Sequence, residues 1–268
     1  MRVQLPEEVL AEFPLFAPDW PAEPADESGG GGALDIAIEA AEGGYLRRTA
    51  WGADILLDHA RDAANALAGA LIEGFTRQGE GLVCLHAGAV RLGPALVLFI
   101  GESESGKSSL SLQLAAAGHR FFGDDRILLD LSADPVTGLC FGLAPKVRLP
   151  LPSEAGEVFA NFVAARTRRE MAGQAYLSLA EESAGFGEES PVGALVLADR
   201  REGSETSLAP AGRGDLMRAL IGQSYAPHIP AERLIARFAL MGTAVSAWHL
   251  TFHNSREAAA TLAEAVLD

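Results

Sequence analysis

Apolar residues recur along this chain with three distinct periods, and each predicts a different element. Residues 95–100, Ala-Leu-Val-Leu-Phe-Ile, are apolar without interruption between Gly93-Pro94 and Gly101. A run of that length predicts a strand buried on both faces, as in a parallel sheet with helices on either side. Residues 83–90 and 192–198 repeat the pattern, the first carrying a single histidine, His86. Residues 34–39 (Leu-Asp-Ile-Ala-Ile-Glu) alternate at period two instead, which predicts an edge strand. From 55 to 75, Leu56, Ala60, Ala63, Leu67, Leu71 and Phe75 recur every three or four residues. That spacing predicts a long amphipathic helix packed on the sheet.

The remaining pattern fills in around these. Residues 109–117 are good helix formers ended by Gly118. Phe121-Phe122 predicts a short strand returning beside 95–100. Residues 141–151 read as a strand ending in prolines, and 155–172 as a helix with Arg166, Arg168 and Arg169 near its end. Residues 181–190 are polar and glycine-bearing, a mobile loop in the position of a lid or substrate loop. Short helices follow at 214–222 and 232–241, then a strand at 244–252 and a closing helix to Leu267 capped by Asn254 or Ser255. The first 50 residues are the least regular. Pro14, Pro18, Pro21 and Pro24 precede Asp26-Glu27-Ser28 and four glycines at 29–32, the pattern of an irregular segment with a flexible loop. The class is therefore α/β, a mixed sheet flanked by helices. Residues 1–80 form an N-terminal irregular segment, edge strand and amphipathic helix, and 81–268 form the main domain.

Composition narrows the partners. The chain has 268 residues, 49% hydrophobic, enough for a substantial core. A net charge of −15 and a pI near 4.8 exclude nucleic acid and anionic membranes as natural partners, and mildly favour a basic or neutral substrate. Cys84 and Cys140 are the only cysteines, so there is neither a disulfide framework nor a Cys/His zinc pattern. No apolar run approaches a membrane span and the first residues lack a signal-peptide core, so a cytoplasmic location is expected.

The candidate chemistry sits just after the central strand. Residues 101–108, Gly-Glu-Ser-Glu-Ser-Gly-Lys-Ser, match G-x-x-x-x-G-K-[S/T], the phosphate-cradling P-loop or Walker A pattern. Backbone N–H groups of Gly101, Glu102, Ser103, Glu104, Ser105, Gly106, Lys107, Ser108 and Ser109, at a helix N-terminus, would converge on one anion. Lys107 would reach the β and γ phosphates, and Ser108 would ligate Mg²⁺. The bland alternative is a glycine-rich turn. Asp124 and Asp125 follow sixteen residues after Ser108. At a strand end adjacent side chains point opposite ways, so one carboxylate can serve Mg²⁺ and the other a proton. A lone strand histidine such as His86 is commonly structural, yet on a strand beside the loop it can hold one Asp ionised. Lys146 and Arg148, two apart on one strand face, suit a phosphate or else an exposed edge. Of Arg200 and Arg201, one can face the site. His59, His228, His249 and His253 show no metal-ligand spacing, and no role follows for them.

Leu85-His86-Ala87, the loop, and Gly118-His119-Arg120 leading to Asp124-Asp125 resemble the C-terminal catalytic domain of HPr kinase/phosphorylase. They resemble more closely the HPr-kinase-related serine kinases of some bacterial peptide-modification gene clusters. The specific match covers residues 82–130, with weaker similarity at 145–150, at 194–200 and in the last strand and helix. The resemblance implies a core shared with phosphoenolpyruvate carboxykinase and an ATP- and Mg²⁺-dependent transferase. By position, Asp125 matches the base, His86 its partner, Lys107 the phosphate-binding lysine, and Ser108 and Asp124 metal-associated positions. Arg148 and Arg200 would assist nucleotide binding. Such an enzyme would phosphorylate a serine hydroxyl of a peptide or protein, and the family often forms homo-oligomers. Two departures matter. Glu104 replaces a usual glycine, and a carboxylate there opposes polyphosphate unless it points to solvent. The family's Glu-x-Arg-Gly-x-Gly stretch, tied to the reverse reaction, is replaced by residues 145–150, so neither that reaction nor HPr as substrate is implied. Two other readings stay open: the same core with a small-molecule hydroxyl acceptor, and a catalytically silent nucleotide-binding regulator, for which Glu104 argues. A narrow pocket at Asp125 would favour the former over a peptide.

Overall fold

A computed structural model of the chain describes residues 1–23 and 34–267. Its central strand, Ala95–Ile100, lies between Ala87–Leu92, which runs antiparallel, and the long strand Glu189–Arg200, which runs parallel. Ser246–Phe252 adds a further parallel strand beyond that. Both faces of this sheet are covered, as the alternate side chains record. Val97 and Phe99 cluster with Leu110, Leu114 and Leu262 of helices Lys107–Ala116 and Ser255–Leu267. Leu96, Leu98 and Ile100 cluster instead with Leu216, Leu220, Phe238 and Met241 of helices Arg213–Gly222 and Ala231–Ala244. Cover on two sides is why the run is unbroken rather than alternating. Asn254 Oδ1 accepts from the backbone N–H of Arg256 at 2.9 Å, the cap expected for the closing helix.

Among the described residues the main sheet has ten strands, in mixed orientation. One feature of it positions the site. Leu82–Leu85 pairs with Ile127–Asp130, and Ala87–Leu92 pairs with Arg120–Gly123, in one continuing antiparallel register: Leu85 opposes Ile127 and Ala89 opposes Gly123. Between these pairs both segments leave the ladder, at His86 on one side and at residues 124–126 on the other. Asp125 has φ 69°, a left-handed conformation that a ladder cannot continue through. The run 83–90 is therefore two strands meeting at His86. Arg120–Gly123 borders Ala87–Leu92, one strand away from Ala95–Ile100, and does not return directly beside it as expected.

Two smaller sheets flank this core. Val3–Gln4, Ile36–Ala41, Gly44–Thr49 and Gly52–Leu57 form the first, in that order. The strand expected at an edge, Ile36–Ala41, is thus internal, because Val3–Gln4 pairs with it across a separation no local pattern reveals. Helix Glu7–Glu12 gives the first 50 residues more order than their prolines suggest, while Pro24 and residues 26–32 lie outside the described residues. Helix Ala60–Thr76 starts later than 55, since Ile55 and Leu56 belong to a hairpin strand paired with Gly44–Thr49. Its Leu67 and Leu71 cover the small sheet, and Ile72 packs with Cys84, Leu128 and Phe141 of the main core.

The second small sheet is Lys146–Arg148, Gln174–Leu177 and Thr167–Met171. The expected helix at 155–172 ends at Arg166, and Arg168 and Arg169 lie on a hairpin strand. Ala172 and Gly173, with φ 50° and 73°, make the reversal. Only residues 146–148 of the expected 141–151 strand pair, and Phe141 is buried against Trp20. The 181–190 segment is pinned rather than free: Glu188 pairs with Arg91 and Arg120, and Phe186 packs on Trp20 and Phe75. Cys84 and Cys140 are free and buried, and burial pushes each thiol up to about 11. Among the described residues no helix is long and apolar enough to cross a membrane.

Candidate functional site

The turn at 101–106 joins the central strand to helix Lys107–Ala116, whose first residue is Lys107 rather than Ser109. Gly106 precedes the helix at φ 92°, where a Cβ would lie 2.6 Å from Phe252 Cζ. Gly101 is equally confined, its Cβ position being 2.6 Å from the Ala198 carbonyl oxygen and from Ser105 Oγ. Gly101 is thus dictated by close approach, and Gly106 by close approach and by conformation together. The Lys107 ammonium donates to the carbonyls of Gly101 and Glu102, each at 2.8 Å. Lys107 is only 6% exposed, and burial holds its pKa below the ordinary value against the pull of Asp124 and Asp125. Glu104, at φ 71°, turns outward: its side chain is 67% exposed and pairs with Arg148 at 2.6 Å. The carboxylate that opposed phosphate in the sequence faces solvent and carries a guanidinium with it.

Across the break in the ladder the two aspartates divide. Asp124 is buried, and its Oδ1 accepts from Ser108 Oγ at 3.0 Å. Its Oδ2 is buried without a hydrogen-bond partner. Burial pushes this carboxyl up to about 6, against the Ser108 hydrogen bond. Asp125 is the opposite case. His86 Nε2 lies 3.1 Å from its Oδ1, and Lys146 Nζ donates to its Oδ2 at 3.0 Å. The His86 hydrogen bond, then the Lys146 charge and hydrogen bond, hold it well below the usual carboxylate range. Burial alone would depress the Lys146 ammonium, but Asp125 outweighs it and the net direction is upward. His86 is itself clamped: its Nδ1 lies 2.7 Å from Gln223 Oε1, and its backbone N–H donates to the Gln223 carbonyl at 2.7 Å.

These groups line one cavity of about 470 Å³, in the range of nucleotide-sized sites. Ser103, Glu104, Gly106, Lys107, Ser108 and Ser109 form its floor. Gly101, Glu102 and Ser105 lie behind it, Gly101 and Glu102 holding the lysine. His86, Asp124, Asp125, Lys146, Arg148 and Arg200 complete the walls. Arg200 lies 3.6 Å from Glu154, whereas Arg201 turns away to Asp199. The hydrogen bond between Ser108 and Asp124, with the bare Asp124 Oδ2 beside it, supplies hard oxygen donors of the kind Mg²⁺ takes. Among the described residues no group of three or more His, Cys, Asp and Glu could hold a metal alone, so a cation here would draw further ligands from phosphate and water.

What brings four further residues to the site escaped the sequence. Lys146 stands out there as a possible phosphate partner, but nothing local pairs it with Asp125. Gln223 ends a surface helix with no motif around it. Glu154 and His253, 3.6 Å apart on the cavity wall, come from segments a hundred residues distant. Only the tertiary fold joins them.

No family model matches the chain, and no curated protein matches it. Among solved structures it is similar to the HPr(Ser) kinase/phosphatase from Coxiella burnetii, at 16% identity and a TM-score of 0.36. The similarity covers 68% of this chain and 94% of that one.

Proposed function

We propose that this chain is an ATP-dependent kinase, transferring the γ-phosphoryl group to a serine hydroxyl of a peptide or protein. One observation carries the reading: Asp125, held ionised between His86 and Lys146, lies on the wall of the cavity floored by the 101–108 turn. An ionised carboxylate beside a ready-made anion site is what hydroxyl-to-phosphoryl transfer requires.

The residues then take distinct tasks. Backbone N–H groups at the start of helix Lys107–Ala116 hold the phosphates, and Lys107 exchanges its two carbonyl partners for phosphate oxygens. Ser108 and Asp124 would hold Mg²⁺, which neutralises charge on the phosphates when bound. Lys146 is drawn toward the transferring group, which frees Asp125 Oδ2 for the acceptor hydroxyl. Asp125 takes the hydroxyl proton as the acceptor oxygen bonds to phosphorus and the bond from phosphorus to the ADP oxygen breaks. Gln223 and His86 fix Asp125 in place throughout. The serine and peptide assignments rest on the resemblance of residues 82–130.

Calorimetry and transfer assays on Asp125→Asn and Lys107→Ala test this. Asp125→Asn should lose transfer by on the order of 10²–10⁴-fold while binding ATP normally, and Lys107→Ala should lose both. Equal loss of ATP binding in the two variants would remove Asp125 from the base role.

A further inference from the structure

Behind the wall formed by Asp124, Asp125 and Lys146 lies a second cavity, of about 270 Å³. Those three residues face both cavities. The far side of the second comes from the N-terminal part of the chain: Arg47 on strand Gly44–Thr49, and Asn65 and Gly69 on helix Ala60–Thr76. Arg126, leaving the break in the ladder directly after Asp125, lines it too, its guanidinium lying against Gly69.

The charges in this cavity are unbalanced. Neither Arg47 nor Arg126 has a carboxylate within ion-pair distance of its side chain among the described residues, and Arg47 Nε is buried without a partner. The neighbouring Arg48, which strand alternation turns the other way, pairs with both Glu39 and Asp54. Asp124 and Asp125 are engaged by Ser108, His86 and Lys146. The chain carries 36 Asp and Glu against 21 Lys and Arg. Arg47 is half-buried and Arg126 exposed, so both guanidinium groups on this cavity stand open to an anion from outside.

We propose that this second cavity is the acceptor site, and that it selects acceptors whose hydroxyl lies close to a carboxylate. The inference rests on the kinase reading above and supplies its substrate class. Arg47 and Arg126 hold the carboxylate, for which a guanidinium has matching paired donors. The hydroxyl then reaches Asp125 from the side opposite the phosphates, which gives the in-line arrangement that phosphoryl transfer uses. The volume admits a small hydroxy acid, or one or two residues of a peptide in which serine neighbours an acidic residue. The net charge of −15 does not decide against such an acceptor, because charges beyond about 8 Å are screened while the two guanidinium groups are in contact.

The test compares matched acceptors after ATP binding has been established by calorimetry. Radiolabelled ATP and Mg²⁺ are supplied with D-glycerate against glycerol, and with a serine peptide flanked by glutamate against the same peptide flanked by lysine. The anionic member of at least one pair should be favoured about tenfold or more in kcat/KM, and the pair that reacts identifies the source of the carboxylate. Arg47→Gln and Arg126→Gln should each raise its KM about tenfold with ATP affinity unchanged, and Arg47→Lys should recover part of the loss. Equal use of the neutral or basic acceptors, or an unchanged KM in both glutamine variants, overturns the inference. ATP binding with no transfer to any of the four overturns it as well. Failure of the native protein to bind ATP sinks the kinase reading itself.

Discussion

Asp124 and Asp125 are adjacent in sequence, yet burial and partners send their carboxyl groups in opposite directions, and each direction has a consequence for stability. Asp124 rises from an ordinary value of 3.8 to about 6 because it is buried with one oxygen unpartnered. A carboxyl raised in the folded state favours folding fully below about pH 4 and loses that contribution as the pH climbs through about 6. Asp124→Asn keeps the shape and removes the charge. Its stability relative to the native protein should improve between pH 4 and pH 8 by on the order of 2–3 kcal/mol, with neither nucleotide nor Mg²⁺ present. Urea unfolding across that range measures it, and a difference independent of pH would contradict the burial argument. Asp125 works the other way: its depressed pKa contributes stability above about pH 4 that is lost on acidification below it.

At the scale of elements, the turn into helix Lys107–Ala116 shows why its glycines are not interchangeable with others in the chain. Gly106 and Gly118 share a left-handed φ, 92° and 93°. A Cβ at Gly118 would meet nothing within 4 Å, whereas at Gly106 it would lie 2.6 Å from the fully buried ring of Phe252. Gly118→Ala should therefore cost about 1 kcal/mol of conformational strain, and Gly106→Ala about 2–3 kcal/mol more through the clash. Thermal unfolding ranks the two, and calorimetry should show ATP affinity falling only in Gly106→Ala. The ladder break is the other decisive element. Two strands that interrupt their pairing at the same level leave His86, Asp124 and Asp125 outside regular hydrogen bonding, free to build a site inside a sheet.

For the whole molecule, the cavity above the 101–108 turn draws on the main sheet, the Lys146–Arg148 strand and the C-terminal segment at once, so occupancy should brace the entire fold. ATP with Mg²⁺ at a hundred times its Kd should stabilise the native protein by about 2.7 kcal/mol. The accompanying rise in Tm should vanish in Lys107→Ala, which a thermal scan would show. The sequence was sufficient for whatever depends on near neighbours. The unbroken run at 95–100, the turn at 101–108 with its following helix, and the Asp pair were legible because strand burial, glycine turns and helix caps are written in consecutive residues. The outward turn of Glu104, by contrast, shows only in the structure, in its φ of 71° and its pairing with Arg148. Where the expectation failed, at the internal strand Ile36–Ala41 and the pinned 181–190 segment, the partners lay far along the chain, while the helix ending at Arg166 gave way to a hairpin that seats its strands in a separate small sheet with Lys146–Arg148. The same holds for the pairing of Lys146 with Asp125, the Gln223 clamp on His86, and the meeting of Arg47 with Arg126. Such contacts are set by how sheets and helices stack, a matter of packing between distant segments that no local period encodes, and only the tertiary structure decided them.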